Sequence, residues 1–353
     1  MKLLPVKKRK IAIFFTSGIG DTVLHVPLMK ALKQKQFIIT CIFISRYDND
    51  CLFDDSIADK KVYLKTKLSM LLYAITRLKH FTNVYINHLE EGRWVKLLAW
   101  LCGKVVTKST RKKNKGKLHK RIKPCDNYFS DAEQNLYLLF SKYNATIKDI
   151  RDFYLPSPIL NEEILNKFEL TRDKKRFFVL QVSAGNNLTP FKNWPINYWH
   201  KVVNKLCLHY QQFEFVIIGD NTETGFVAGF ENLLCNNLKI LIGKTSVEDA
   251  CNLIAKSHGY IGLDSGFLHI AVALQKKTLA IFGASNEKLY GYGMIDPINH
   301  KEIIAEIGCR PCHGWKCVNS SRVSNPLLCP DFACLTSIEP KLVYEEIVTH
   351  FSL

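Results

Sequence analysis

Apolar runs and helical periodicities alternate along the chain. Ile11-Ala12-Ile13-Phe14-Phe15 is a continuous apolar run closed by Gly18-Ile19-Gly20, the pattern of a parallel strand buried on both faces. Helical spacing of apolar residues follows over 22–35, then a strand-like run over 37–45. Residues 68–78 and 93–101 read as helices around a strand at 83–86, and a further helix is predicted over 131–142. The pattern breaks at Asp152-Phe153-Tyr154-Leu155-Pro156-Ser157-Pro158, where two prolines favour an extended connector. It then restarts. Strands are predicted over 177–182, 213–218, 238–242, 260–263 and 278–282, with helices over 195–210, after a Ser246 cap with Asp249 at the capping-box position, and over 266–274. A helix over 340–350 ends the chain.

Strands separated by helices imply βαβ units and parallel sheets. The expected class is therefore α/β, with two Rossmann-like parallel-sheet domains in series facing an interdomain cleft. The expected boundaries are an N-terminal domain over 1–155, a C-terminal domain over 156–335 and a terminal helix over 336–353. In open α/β sheets ligands sit outside the carboxyl ends of the strands, so the strand-to-helix loops carry the interest.

Composition narrows the class. Of 353 residues, 47% are hydrophobic and 23% charged, which excludes a mainly disordered chain. No uncharged apolar run approaches the ~18 residues of a membrane span. The basic stretch Lys7-Lys8-Arg9-Lys10 precedes a strand rather than a signal-peptide core, so a cytoplasmic protein is expected. The net charge is +17, and between Lys104 and Lys123 lie ten basic residues and no acidic one. Lys108, Arg111, Lys112 and Lys113 lie in this segment. It suits an anionic partner; the alternative is a solvated loop. Nucleic acid is not expected, because His119 is its only aromatic ring and no binding module accompanies it.

Three loops carry candidate chemistry. After the first strand, Gly18-Ile19-Gly20-Asp21 resembles a dinucleotide fingerprint, but Val23 stands where the third glycine belongs, which argues against a nicotinamide cofactor. Asp21 is either a helix cap or a carboxylate general base. Pro27, six residues on, spoils a backbone bond in the predicted helix. The second loop runs from Ser183-Ala184-Gly185 to Lys192-Asn193-Trp194-Pro195 and brings a lysine to a helix start, a place that favours anions. In the third, Asp264-Ser265-Gly266 opens a helix whose free N–H groups suit a phosphate, with His269 one turn in. Asp264 would bind a ribose hydroxyl or cap the helix, and Glu223 would accept from a ribose or stand as an exposed carboxylate. Asp48-Asn49-Asp50 matches a short sugar-transferase metal motif, but three residues recur by chance, and no metal is assigned there.

Twelve cysteines are present. Seven are scattered; five, Cys309, Cys312, Cys317, Cys329 and Cys334, fall within 26 residues. Without a secretory signal such a cluster argues for metal more than for disulfides. Cys309, Cys312, Cys329 and Cys334 would suit a tetrahedral structural zinc; buried free thiols are the alternative.

Taken together, Gly20-Asp21 with Pro27, Lys192-Asn193-Trp194-Pro195, Gly243-Lys244-Thr245-Ser246, Asp264-Ser265-Gly266 with His269-Ile270-Ala271, and Phe282-Gly283 resemble glycosyltransferase family 9, the ADP-heptose:lipopolysaccharide heptosyltransferase group. The resemblance spans nearly the whole chain. It implies a GT-B fold with acceptor bound by the first domain, nucleotide sugar by the second, and the last helix crossing back to the first. It implies an inverting transferase that needs no catalytic metal and moves a heptose from ADP-heptose to an anionic glycolipid at the cytoplasmic face of the inner membrane, on which it would sit peripherally. By similarity Asp21 is the base. Lys192, Ser265, Gly266 and His269 face the diphosphate, Ser183 and Gly185 also bind the nucleotide sugar, and Glu223 and Asp264 hold the nucleoside. An epimerase or hydrolase on the same fold, and a non-catalytic anion-binding protein, are the competing readings. The loop Asn186-Asn187-Leu188-Thr189-Pro190-Phe191 departs from the better-known members and does not fix a heptose.

Overall fold

The structure is a computed structural model that describes residues 9–16, 18–44, 50–86, 92–108, 132, 149–155, 163–170, 176–184, 189–223, 229–233, 235–312 and 326–353. The chain divides into two compact units, Met1–Pro156 and Ser157–Leu353. Each is an all-parallel sheet with helical crossovers.

In the first unit the elements are β1 (Lys10–Phe15), α1 (Ile19–Val23), α2 (Val26–Gln34), β2 (Ile38–Phe43), β3 (Lys60–Tyr63), α3 (Lys67–Thr76), β4 (Phe81–Ile86), α4 (Arg93–Cys102) and β5 (Gly103–Lys108). The strands order as β3-β2-β1-β4-β5. β1 is central and buried from Ile11 to Phe15, as its uninterrupted apolar run requires. Phe15 stacks on Phe43 at 5.2 Å across the β1–β2 pair. The single helix expected over 22–35 is two helices. Gly18 caps α1, the chain turns at Leu24 and His25, and Pro27 falls in the first turn of α2, where its missing N–H costs nothing. The proline that spoils one long helix starts a second.

The second unit holds α5 (Glu163–Lys167), β6 (Arg176–Leu180), α6 (Ile196–His209), β7 (Phe213–Ile217), β8 (Leu238–Ile240), α7 (Val247–Lys256), β9 (Gly259–Leu263), α8 (Gly266–Ala273), β10 (Thr278–Phe282), α9 (Glu287–Tyr290), β11 (His300–Ile304), α10 (Ala333–Thr336) and α11 (Pro340–Phe351). The sheet order is β11-β10-β9-β6-β7-β8. The capping box at α7 forms as expected: Ser246 Oγ accepts from the Asp249 N–H at 3.0 Å, and the Ser246 N–H donates to Asp249 at 2.9 Å.

The core of this unit gathers one face of β6 and β9, through Phe178, Leu180, Ile261 and Leu263, with α6 and α11. The terminal helix, expected to cross back to the first domain, is by its buried residues Val343, Ile347 and Phe351 part of this second core. Phe351 packs edge-on against Phe178 at 5.0 Å. Gly259 makes room for it: a Cβ there would fall 2.4 Å from the Phe351 ring. The helix predicted over 131–142 lies outside the described residues apart from Ala132.

Candidate active site

In the second sheet the winding reverses between β6 and β9. From β6 the chain proceeds to β7 and β8 on one side; from β9 it proceeds to β10 and β11 on the other. Such a switch point leaves a crevice outside the strand ends, where ligands of open α/β sheets bind. The loops after β6 and β9 hold Ser183, Lys192, Asp264, Ser265 and Gly266 of the sequence-predicted set. Gly185 belongs to the same loop but lies outside the described residues.

The Lys192-Asn193-Trp194-Pro195 block has a division of labour. Trp194 is fully buried, meets Trp199 edge-on at 5.1 Å and donates its indole N–H to the Ile338 carbonyl at 3.0 Å. Asn193 Oδ1 accepts from the Ala184 N–H at 2.7 Å and ties the two ends of the loop together. Pro195 caps α6. Lys192 ends a short 3-10 turn, Pro190–Lys192, and its ammonium stands 2.7 Å from Asp264 Oδ2. Gly283, at the end of β10, lets this turn approach, because a Cβ there would sit 2.9 Å from the Phe191 carbonyl and 2.8 Å from Leu335.

Asp264 therefore neither caps α8 nor stands open. Burial works to raise its carboxyl. The Lys192 charge and hydrogen bond, a bond from Ser285 and the nearby His269 outweigh this and hold it below the usual carboxylate range. Asp264 is the ionised anchor of Lys192.

Ser265 is the N-cap of α8, but its hydroxyl does not bond the helix N–H groups. It donates to Gln181 Oε1, which also accepts from the Tyr260 hydroxyl at 2.6 Å. Gly262 leaves the space for the Tyr260 hydroxyl, which a Cβ would approach to 2.5 Å. The first turn of α8 thus keeps its donors unsealed by a side-chain cap, with a buried cation–carboxylate pair beside it. That arrangement is suited to an anion such as a diphosphate. Ser183 Oγ is buried with no hydrogen-bond partner among the described residues, a further polar group at the same strand ends. His269 is buried, and its Nδ1 lies 2.6 Å from the Tyr292 hydroxyl. Tyr292 is positioned in turn by Glu302, whose carboxylate accepts from the N–H groups of Tyr292 at 2.7 Å and Gly293 at 3.0 Å. His269 is therefore built into the wall of the site.

Gln181 and Tyr292 were not among the sequence-predicted residues. Gln181 left a trace: it is the one polar residue in the apolar run Phe177-Phe178-Val179-Leu180-Gln181-Val182. Tyr292 left none, because its role depends on β11 returning beside β10.

Asp21 is not a cap. It lies in the first turn of α1, half-buried, behind the Gly18 cap. His25 donates its Nδ1–H to the Asp21 carbonyl at 2.6 Å and packs edge-on against Phe15 at 5.4 Å, which fixes the turn that carries the acid. Glu223 ends the 3-10 turn Asn221–Glu223 after β7. Gly243, at φ +70°, packs against Asn221 of that turn, with only 3.2 Å between an added Cβ and the Asn221 Cα. Lys108 ends β5; Arg111, Lys112 and Lys113 lie outside the described residues.

Cys309, Cys312, Cys329 and Cys334 line one pocket together with Phe191, Ala284 and Arg310. Arg310 is held by the Gly283 carbonyl at 2.8 Å, the Ser285 carbonyl at 3.1 Å and Glu287 at 3.0 Å. Burial, with the three neighbouring thiols, pushes the Cys334 thiol up to about 12, against the pull of Arg310. In this arrangement the thiols are free. Among the described residues no group of three or more His, Cys, Asp or Glu side chains is set to hold a metal ion.

The model of glycosyltransferase family 9 (heptosyltransferase) matches residues 117–321, more than half of the chain. The chain belongs to glycosyltransferase family 9. It is a glycosyltransferase, as its relatives are named. Lipooligosaccharide heptosyltransferase 2 of Campylobacter jejuni serotype O:2 is 25% identical over 355 residues, covering 96% of this chain and 97% of the relative. Among solved structures, the ADP-heptose lipopolysaccharide heptosyltransferase II of E. coli superposes with a TM-score of 0.69 at 17% identity over 97% of this chain and 98% of that one. The iron-containing dodecameric glycosyltransferase TibC of enterotoxigenic E. coli superposes with a TM-score of 0.59 at 14% identity, over 99% of this chain and 78% of that chain. These likenesses agree with the GT-B class expected for a family 9 transferase.

Proposed function

We propose that this family 9 enzyme transfers a heptose, with inversion and without a catalytic metal, from ADP-heptose to a hydroxyl of a lipopolysaccharide core or related anionic glycolipid. The observation that carries the reading is the unsealed N-terminus of α8 beside Lys192 and Asp264 at the switch point of the second sheet. Asp21 takes the proton of the acceptor hydroxyl, whose oxygen forms a bond to the anomeric carbon. The bond from that carbon to the diphosphate breaks, and its electron pair leaves with the nucleotide. The growing negative charge meets the N–H groups at Ser265 and Gly266 and the Lys192 ammonium; a preorganised donor of this kind contributes about 3–4 kcal/mol to the barrier when tested by removal. Glu223 faces the ribose. The basic residues Lys108, Arg111, Lys112 and Lys113 meet the anionic acceptor, at the cytoplasmic face of the inner membrane. Among the described residues no helix is long and apolar enough to cross a membrane.

The test is Asp21→Asn. Turnover is expected to fall about 10²–10⁴-fold, the range for removing a general base, with ADP binding unchanged. Nuclear magnetic resonance of the product anomer reads inversion, and activity in excess chelator reads metal independence. Consumption of ADP-heptose at the same rate without acceptor would instead make the enzyme a hydrolase or epimerase.

We also propose Cys309, Cys312, Cys329 and Cys334 as a structural zinc site. The support is the donor set: four thiols lining one pocket, three from loops and Cys334 from α10, a set that suits tetrahedral zinc once the side chains close on the ion, which as placed they do not.

A further inference from the structure

The helices α3 and α4 cover the same face of the first sheet, and their inner stripes are ordinary core. Ala74, Val95, Leu98, Ala99 and Cys102 are buried against β1 and β4. Their outer stripes are apolar as well. On α3, Leu68, Leu71, Leu72 and Ile75 follow helical spacing and stand exposed, Leu68 at 65% and Ile75 at 60%. On α4, Trp94, Leu97 and Trp100, each three residues from the next, stand exposed along a band that winds around the helix, Trp100 at 60%. Contiguous exposed apolar surface of this kind marks an interaction site.

Within the two stretches that carry this face the charges have one sign, with Glu90 and Glu91 falling between them, just before α4. From Lys60 to Phe81 and from Gly92 to Lys108 there is no Asp or Glu, whereas Lys60, Lys61, Lys65, Lys67, Arg77, Lys79, Arg93, Lys96, Lys104 and Lys108 all fall in these stretches. Two of the lysines are seated on the tryptophans: the Lys67 ammonium lies 5.6 Å from the Trp94 ring centre and that of Lys79 lies 4.3 Å from the Trp100 ring centre.

We propose that the outer face of α3 and α4 is a membrane-docking surface that seats on an anionic lipid bilayer. Leucine and isoleucine enter the acyl boundary, while the tryptophan–lysine pairs stand at headgroup level, where indoles and ammonium groups both belong. The excess of positive charge complements anionic headgroups, each well-placed cation strengthening the attraction. A second copy of the chain is the poorer occupant, because its basic rim would meet an identical basic rim. The proposal deepens the membrane reading above and moves the anchor from the basic segment to a folded helix pair.

The test uses the full chain and vesicle flotation, a readout that does not depend on transfer. Wild type is expected to float with phosphatidylglycerol–phosphatidylethanolamine vesicles and to stay behind with phosphatidylcholine vesicles. Leu72→Ser with Ile75→Ser is expected to weaken vesicle binding about ten-fold or more, since two buried aliphatic side chains are removed from the lipid, and Trp100→Ser to weaken it further. All three positions are exposed, so thermal melting should match wild type. Transfer to a lipid-free, water-soluble acceptor should also match. Absence of that transfer in wild type would defeat the transferase reading and leave the docking result standing. Equal flotation of the helix variants and wild type overturns the proposal, whether or not Arg111→Gln with Lys112→Gln and Lys113→Gln abolishes flotation. A wild-type dimer that these helix variants disperse overturns it too, by assigning the face to self-association.

Discussion

Lys192 and Asp264 come from two loops of the second sheet and meet at 2.7 Å, with side chains only 19% and 3% exposed. Sequence reading assigned them separate duties, one to the diphosphate and one to the ribose. Together they form a single charged device. The carboxylate is held ionised by the lysine, and the lysine is aimed by the carboxylate at the start of α8.

Breaking this pair from the lysine side strands a buried charge. Lys192→Met is expected to lose about 3–5 kcal/mol of stability, and Asp264→Asn in that background to recover much of it, because the uncompensated carboxylate has gone. Urea unfolding of the two single variants and the double variant reads the coupling. Additive losses would mean that the two side chains do not act on each other.

Gln181 accepts from both Tyr260 and Ser265. In Gln181→Leu the Ser265 hydroxyl is released and can turn onto the α8 N–H groups as an ordinary cap. Stability is expected to fall by about 1–3 kcal/mol, because the buried Tyr260 hydroxyl loses its acceptor, while the new cap offsets the loss at Ser265. ADP affinity should drop, because the hydroxyl competes for the same donors. Ser265→Ala in the Gln181→Leu background should restore it. Calorimetric titration with ADP decides, and unchanged affinity in Gln181→Leu would remove Gln181 from the site.

The alternation of strands and helices was legible because the central strands are buried on both faces and read as apolar runs. Three strands were missed: β3 (Lys-Lys-Val-Tyr), β5 (Gly-Lys-Val-Val-Thr-Lys) and β11 (His-Lys-Glu-Ile-Ile). All three are edges of their sheets, and edges carry the charged residues that protect unpaired backbone. The same charges erase the apolar signal. The loop residues were legible as types, but their pairings were not. Lys192 and Asp264 are 72 positions apart in sequence, and the two loops converge only because β6 and β9 are neighbours.

The four-cysteine pocket shares Phe191 with the turn that carries Lys192. Bound zinc would therefore brace the lysine as well as the loop. Protein purified without chelator is expected to carry about one zinc per chain if the thiols act as a tetrahedral set, read by inductively coupled plasma mass spectrometry. Cys329→Ser with Cys334→Ser should lose the metal, melt earlier and bind ADP more weakly. Iron in place of zinc would keep the site and change its ion. Metal-free protein with wild-type stability would leave the thiols as ordinary core.

His300 supplies a pH dependence with a definite sign. It is buried between Thr278, whose hydroxyl lies 2.9 Å from its Nδ1, and the ring of Tyr292 at 5.8 Å. Burial is the main cause that lowers its pKa to about 4; Asp296 opposes and His350 assists. In the unfolded chain the imidazole titrates near 6.5. Above 6.5 both states hold it neutral, so its contribution is complete and flat. Between 6.5 and 4 the unfolded chain binds the proton and the folded one does not, so stability falls with pH, by about 3 kcal/mol in all. Below 4 the loss is complete. His350, half-buried and also lowered mainly by burial, adds a smaller loss of the same sign. His300→Gln should be less stable than wild type at pH 7 but lose less on acidification through this window, so the two stability curves converge. Parallel curves from pH 7 to 4 would mean that His300 is already protonated, or solvated, in the folded protein.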